Sequence, residues 1–426
     1  MKVVLASYGS RGDIEPCVAV GLELLRRGHD VSVAVPPDLV GFAETAGLEA
    51  VPYGPDTQVW WDAHRDFWTR FFGEFSKNFW KIPDLIRSWR EVGEPIIGYW
   101  DEIAATLKSL SDGADLLVTF LNFEPPAVNV AEYYDIPLAT LHVAPVRANG
   151  HFLPFLPPSL GRHALTLFQW TAWRGVKRFE DAQRRQLGLP KARGSAPRRI
   201  TERGSLEVQA YDETWFPGLA AEWANWNGQR PFVGALTMEL PTDSDDEIAS
   251  WIAAGTPPIF FGFGSTPVKS PADTLAAITA ACAQLGERAL VCAGWSDFSD
   301  IPPSDHVKVV DSMNYAAAFP SCRALVHHGG MGTTSAGLRA GVPMLILWTA
   351  LDQAIYADRI KQLKVGFGRR ISAATEKSLV ADLRRILEPQ YVDRAREVAT
   401  RMTKPAESVA NAADLLENFA RSSRVG

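Results

Sequence analysis

Val3-Val4-Leu5-Ala6-Ser7-Tyr8-Gly9-Ser10-Arg11-Gly12-Asp13-Ile14 opens the chain, and its continuation to Val35 decides the fold. Residues 3–6 are a short apolar run ending in a glycine-rich turn, the pattern of a buried strand. From residue 14 to 27 the positions Ile14, Cys17, Val18, Gly21, Leu22 and Leu25 follow helical spacing. Arg26-Arg27-Gly28 closes that stretch with basic residues and a C′ glycine. Residues 31–35, stopped by Pro36-Pro37, read as a second strand. Strand, helix and strand in this order form a βαβ unit. Such units imply parallel strands with helices packed on both faces.

Working outward, residues 115–120 and 137–142 repeat the strand signal, with a helical stretch at 127–134 between them. Residues 1–145 therefore read as a doubly wound α/β half. Residues 145–205 are less regular: Pro154, Pro157, Pro158 and a basic stretch at 191–199 suggest an irregular insertion. Residues 206–211 and 231–236 read as the last strands of this half. The polar run Pro241-Thr242-Asp243-Ser244-Asp245-Asp246 reads as a linker. A second series follows, with strands expected at 258–261, 289–292, 307–310, 324–326 and 344–347. Helices are expected at 271–285, 332–340, 353–362 and from about 375 to 421. The expected domains are 1–237, 238–404, and a terminal helix in 405–426. Tandem halves of this kind predict a cleft, with ligands beyond the carboxyl ends of the strands.

Composition narrows the function. The chain has 426 residues, a net charge of −6 and 46% apolar residues, an ordinary globular balance. The acidic balance argues against a nucleic-acid partner, which needs a basic face. Cys17, Cys282, Cys292 and Cys322 lack metal or CxxC spacing, so neither zinc nor disulfides are expected and a reducing cytosol fits. The apolar N-terminal run is too short for a signal peptide, and no apolar stretch is long enough to span a membrane.

Four loops carry chemistry. Val326-His327-His328-Gly329-Gly330-Met331-Gly332-Thr333-Thr334 follows a strand and opens a helix. Glycines admit a ligand close to the backbone, and a helix start offers N–H groups and positive dipole, which suits a diphosphate. His328 and Thr333 add donors; the structural alternative is a tight turn with a capping Thr. Phe261-Gly262-Phe263-Gly264-Ser265-Thr266 also follows a strand, and Ser265 and Thr266 are further phosphate donors or a plain turn. Asp352-Gln353 can grip sugar hydroxyls, since Asp accepts and Gln does both; alternatively Asp352 is a helix N-cap. Asp13, at the loop-to-helix junction, can take a proton from an attacking hydroxyl, cap the helix, or do both.

Together, His328-Gly-Gly-Met-Gly-Thr-Thr, Asp352-Gln353 and Gly12-Asp13-Ile-Glu-Pro16 resemble the family 1, UDP-glycosyltransferase-like enzymes of GT-B architecture. Within that family the chain is similar to bacterial enzymes of glycopeptide-antibiotic decoration. It is closer still to those of actinobacterial glycopeptidolipid and phenolic-glycolipid assembly. The resemblance implies an inverting, metal-independent hexosyl transfer from a UDP- or dTDP-sugar (glucose or a 6-deoxyhexose such as rhamnose), with no cofactor. It implies that His328, Gly330, Gly332, Thr333, Ser265 and Thr266 contact the diphosphate, and that Asp352 and Gln353 hold the sugar. Trp295, Ser312 and Met313 would meet the base or ribose. Asp13 would be the general base, with Ser10 assisting. Many relatives carry a His near the position of Asp13; a carboxylate alone is the bacterial antibiotic-type pattern.

Residues 60–100 hold Trp60, Trp61, Trp68, Trp80, Trp89 and Trp100 among several Phe. Trp68, Phe71, Phe72, Phe75 and Phe79 share helical spacing, so one stripe is core. The excess of aromatic residues points instead to an apolar acceptor site formed by Trp68, Phe72 and Phe75, the alternative reading of that stripe, or to peripheral contact with the inner membrane face. The expected acceptor is therefore a lipophilic small molecule or lipopeptide. The alternatives are a soluble natural-product aglycone and, from another class, a sugar-nucleotide epimerase of the same fold.

Overall fold

The computed structural model describes residues 1–60, 62–64, 67, 91, 93–94, 97–226, 228–264, 270–294, 296, 298 and 306–423. They form two compact units. The first comprises residues 1–238 with 403–426, and the second residues 239–402.

The first unit is a six-stranded sheet: β1 (Lys2–Ala6), β2 (Asp30–Val35), β3 (Glu49–Pro52), β4 (Leu116–Phe120), β5 (Leu138–His142) and β6 (Leu206–Gln209). The spatial order is β3-β2-β1-β4-β5-β6, and every pairing is parallel. Both faces are covered, which is why β1 and β4 are apolar at almost every position. The two-residue alternation sorts them: Val3 and Leu5 pack with Ile14, Cys17, Val18 and Leu416, whereas Val4 and Ala6 pack with Ile103, Leu107 and Val128. One face is thus covered by the helices Arg11–Arg26 and Pro405–Ser422, the other by Trp100–Leu110 and Glu124–Tyr134. Truncating a fully buried position such as Leu5 to Ala would cost about 2–5 kcal/mol.

The second unit repeats the plan with β7 (Ile259–Gly262), β8 (Ala289–Cys292), β9 (Val307–Val310), β10 (Ala324–His327), β11 (Met344–Trp348) and β12 (Gly366–Arg370). Its order is β12-β11-β10-β7-β8-β9, again all parallel. Taken from the other edge, this is the order of the first sheet. In each unit the chain therefore reverses direction across the sheet beside its first strand, between β1 and β4 and between β7 and β10. Crevices at such points are where open α/β sheets bind ligands.

Four details differ from the sequence reading. Residues 145–205 are not an irregular insertion: the helix Pro158–Gln186 runs for 29 residues, started by a proline at its first turn. Residues 231–236 supply only an isolated bridge from Phe232 to Gln209. β3 and β12 are strands that the apolar pattern does not announce. Finally, the first helix begins at Arg11 rather than Ile14; Gly12 and Pro16 are poor helix formers and disguise its start. All four cysteines are buried, and none forms a disulfide.

Candidate active site

In the first unit the loop after β1 ends on Ser10, the N-cap of the helix Arg11–Arg26. Asp13 lies in the first turn and folds back. Its Oδ2 accepts from the Ser10 backbone N–H at 2.8 Å and from the Ser10 hydroxyl at 3.1 Å. This is the carboxylate half of a capping box; the Asp13 N–H itself bonds the Ser10 carbonyl at 2.8 Å. Gly9 permits it: a Cβ there would stand 2.6 Å from the Asp13 carboxyl carbon. The neighbouring strand end is tied in as well, because Asn122 Nδ2 donates to the Tyr8 carbonyl at 2.7 Å. Asp13 therefore does cap its helix, and it remains only partly buried beside the first unit's crevice.

In the second unit the loop after β10 is built around His328. The imidazole is enclosed by glycine backbone on two sides. A Cβ on Gly264 would meet His328 Cε1 at 2.5 Å, and one on Gly330 would meet His328 Nε2 at 2.5 Å. Gly329, at φ +94°, places its backbone against Ile346 and Gln353, where a Cβ would come within 2.7 and 3.2 Å of side-chain carbons. His327 is fully buried, and its Nδ1 accepts from the Gly329 N–H at 3.1 Å, which holds this turn. Burial keeps both imidazoles neutral, pushing His327 down to about 3 and His328 to about 4.

The helix Met331–Ala340 starts directly after this turn. Its N-cap is Gly330, which offers no capping side chain, so the first-turn N–H groups of Met331, Gly332 and Thr333 are not capped. Among the described residues outside its own helix, a Cβ on Gly332 would meet nothing within 4 Å, so they leave open space at this helix start. Uncapped N–H groups, positive dipole and open space together form an anion-accepting site.

The next loop, after β11, is arranged differently. Gln353 Oε1 accepts from Thr349 N at 2.8 Å, Thr349 Oγ1 at 3.1 Å and Ala350 N at 3.2 Å. Gln353, not Asp352, thus closes the start of the helix Leu351–Gln362, and the alternative reading of Asp352 as N-cap does not hold. Asp352 sits exposed in the first turn. Solvent reaches it, yet surrounding protein desolvates its carboxyl enough to raise its pKa, against the pull of backbone N–H groups.

The loop after β9 carries Ser312, exposed, and Met313, buried. It is fixed by Asp245, which accepts from Asn314 N at 3.0 Å. Ser265, Thr266, Trp295, Trp68, Phe72 and Phe75 lie outside the described residues. Among the described residues no group of three or more His, Cys, Asp or Glu is placed to hold a metal ion.

One cluster is not legible in the sequence. Glu124, His142, Arg147, Glu207 and Arg230 are all buried around β5 and β6. Arg147 donates to both Glu124 oxygens at 2.8 Å and also to Glu207; His142 Nε2 lies 3.0 Å from Glu124. Burial alone would raise the Glu124 pKa, but Arg147 and His142 hold it down at about 2. These residues are far apart in the chain, so no spacing marks them. They anchor the loop leaving β5 on the acidic side chains beneath it.

Two tandem doubly wound sheets of one strand order, the second with a glycine-built helix start at its crevice, are the GT-B architecture. The glycosyltransferase family 28 N-terminal domain model matches residues 3–151, and the erythromycin biosynthesis protein CIII-like C-terminal domain model matches residues 276–416. An uncharacterized glycosyltransferase of Mycobacterium tuberculosis is 60% identical over 426 residues, covering 100% of both chains. A sterol 3-beta-glucosyltransferase of Arabidopsis thaliana is 28% identical over 86% of this chain and 57% of its own. Among solved structures, the glycosyltransferase VinC in complex with dTDP superposes with a TM-score of 0.64 at 19% identity, covering 99% of this chain and 100% of its own. The chain belongs to the family 1 glycosyltransferases of GT-B fold.

Proposed function

We propose that this protein is an inverting, metal-independent hexosyltransferase. It would move glucose or a 6-deoxyhexose such as rhamnose from a UDP- or dTDP-sugar to a hydroxyl of a lipophilic acceptor. The observation that carries this reading is the order of loops along the rim of the second sheet. Strands β11, β10, β7, β8 and β9 are successive neighbours. Their loops carry, in that order, Asp352 and Gln353, His328 with the open helix start, Ser265 and Thr266, Trp295, and Ser312 with Met313. Sugar, diphosphate, ribose and base occur in the same order in a nucleotide-sugar. Adjacent strands are about 4.8 Å apart, so the β10 and β9 loops are spaced by about 14 Å, a fitting span from diphosphate to base. The relative solved with dTDP supports the same donor class. The sterol-glucosylating relative supports a lipophilic acceptor.

In this mechanism the acceptor oxygen attacks the anomeric carbon as Asp13 takes its proton. The bond from that carbon to the diphosphate oxygen breaks, and the electron pair leaves with the diphosphate. Inversion follows from the single displacement. Charge grows on the leaving diphosphate, and the N–H groups of residues 331–333 are fixed before it does. Preorganised donors of this kind are worth about 10²–10³ in rate each. The neutral His328 can donate one ring N–H to a phosphate oxygen. Ser10 orients the Asp13 carboxylate through the two bonds described above. These groups would do the work of a divalent cation, and no other cofactor enters.

The test is product analysis with UDP-glucose and dTDP-rhamnose and a lipid alcohol acceptor in excess EDTA. The reading predicts transfer, with product anomeric configuration opposite to that of the donor. Retained configuration, or transfer only after Mg²⁺ is restored, would contradict it.

A further inference from the structure

Residues 136–179 contain no Asp or Glu, although the chain carries a net charge of −6. Of the cations in that stretch, Arg147 is buried against Glu124 and Glu207, Arg162 pairs with Glu222, and Lys177 pairs with Asp181. Arg174 and Arg178 remain exposed and lie over aromatic rings instead: Arg174 is 5.7 Å from the Trp170 centroid and Arg178 is 4.5 Å from that of Phe179.

Both belong to the helix Pro158–Gln186, whose inner face is fixed by the buried Gly161, Glu180, Gln183 and Arg184. Its outer face is unusual for a protein surface. Leu160 is 57% exposed, Leu167 61% and Trp170 52%, and Phe155 just before the helix is 63% exposed. Leu160, Leu167 and Arg174 are seven residues apart, two helical turns, so they form one stripe. Trp170 lies between Leu167 and Arg174 on its flank. The stripe is apolar toward the helix start and cationic toward its middle.

We infer that this helix face docks the protein on an anionic lipid bilayer. Leucine and phenylalanine side chains favour the boundary between headgroups and acyl chains, and an indole favours the headgroup level. Guanidinium groups on the same stripe then meet lipid phosphates, and the carboxylate within a turn of Arg178, Asp181, is engaged by Lys177. The face is one convex helix rather than a groove, which suits a planar lipid surface. Among the described residues no helix is long and apolar enough to cross a membrane, so contact would be peripheral. The surface belongs to the first unit. The helix follows the loop that leaves the carboxyl end of β5, and Gln169 holds that loop through a 2.8 Å bond to the Val146 carbonyl.

The experiment is vesicle co-sedimentation of the full chain with 1:1 phosphatidylcholine:phosphatidylglycerol and with pure phosphatidylcholine. Wild type is expected to sediment with the anionic vesicles, more weakly with neutral ones, and less at high salt. The double variant Leu167→Gln/Trp170→Gln should lose at least ten-fold in partitioning. Arg174→Gln/Arg178→Gln should lose about five-fold per arginine, on anionic vesicles only. Thermal melting and UDP or dTDP affinity should be unchanged in both, which separates docking from folding and from the donor site. No sedimentation of wild type with anionic vesicles would overturn the inference. So would variants that bind as well as wild type. A wild-type dimer split by Leu167→Gln/Trp170→Gln in sedimentation velocity would assign the face to a second copy instead.

Discussion

The two sheets share one strand order but treat their helix starts in opposite ways. In the first unit, the start of the helix after β1 is closed by its own residues: the Asp13 carboxylate folds back onto the Ser10 N–H and hydroxyl, and the crevice gains a carboxylate. In the second, the helix after β10 starts on Gly330 with no capping side chain, and the crevice gains N–H groups and positive dipole. In the proposed mechanism one topology thus serves as proton acceptor in one unit and as anion site in the other. The fold fixes where chemistry can sit; a few loop residues fix its sign.

The comparison breaks most directly at Asp13. Asp13→Asn keeps an acceptor for the Ser10 N–H, so the cap survives, but it removes the base. Transfer should fall by about 10²–10⁴ while nucleotide affinity stays within a few-fold. Loss of less than ten-fold in kcat would mean that another group takes the proton.

Next in size is Gly332→Ala. Among the described residues outside its own helix, a Cβ there meets nothing within 4 Å, so melting should not fall, while the added methyl enters the space at the helix start. Affinity for UDP or dTDP should drop by on the order of ten-fold or more, since one displaced charge-assisted hydrogen bond is worth roughly 1.5–3 kcal/mol. Unchanged affinity would place the diphosphate elsewhere.

Gly9→Ala sharpens the first-unit side. Its Cβ would push the Asp13 carboxyl out of the capping box. Losing a cap costs about 1 kcal/mol of stability, and kcat should fall more than KM for the donor rises. A variant with lower melting temperature but normal kcat would separate the cap from catalysis.

A separate effect, independent of the site's chemistry, is on stability with pH. His327 and His328 are held near 3 and 4 by burial, and His64 and His142 shift in the same direction for the same main reason. An unfolded His titrates near 6.5, so below that pH the unfolded chain binds protons that the folded one refuses. The stabilisation is complete above about pH 6.5 and is lost as pH falls toward 4 and then 3. Glu124 adds a separate loss only below its ordinary carboxylate range, because its folded value is about 2. Melting temperature should therefore decline between pH 6.5 and 5, before that carboxylate titrates. A flat profile there would contradict the neutral, buried state of these imidazoles.

Most of the fold is legible in the sequence because buried parallel strands read as plain apolar runs. The exceptions have physical causes. β3 is a short edge strand containing Pro52, and prolines demote a strand reading. β12 is Gly-Phe-Gly-Arg-Arg, held by pairing with β11; Gly366 packs so closely on Met344 that a Cβ would lie 2.8 Å from its carbonyl carbon. The helix Pro158–Gln186 hides because its apolar residues lie on both faces, leaving no clean stripe. At the site, the glycine loops announce themselves, since close backbone approach needs glycine. Gln353 as cap and the Glu124–Arg147–Glu207 cluster do not, because both depend on which distant segments the fold brings together.

The central claim is a metal-independent nucleotide-diphosphate site at the start of the helix Met331–Ala340. Its most direct test is calorimetric titration of the protein with UDP and with dTDP in excess EDTA. Saturable one-to-one binding of either is predicted, and the preference between them would identify the base. Absence of binding to both in EDTA, with binding restored by Mg²⁺, would contradict the claim.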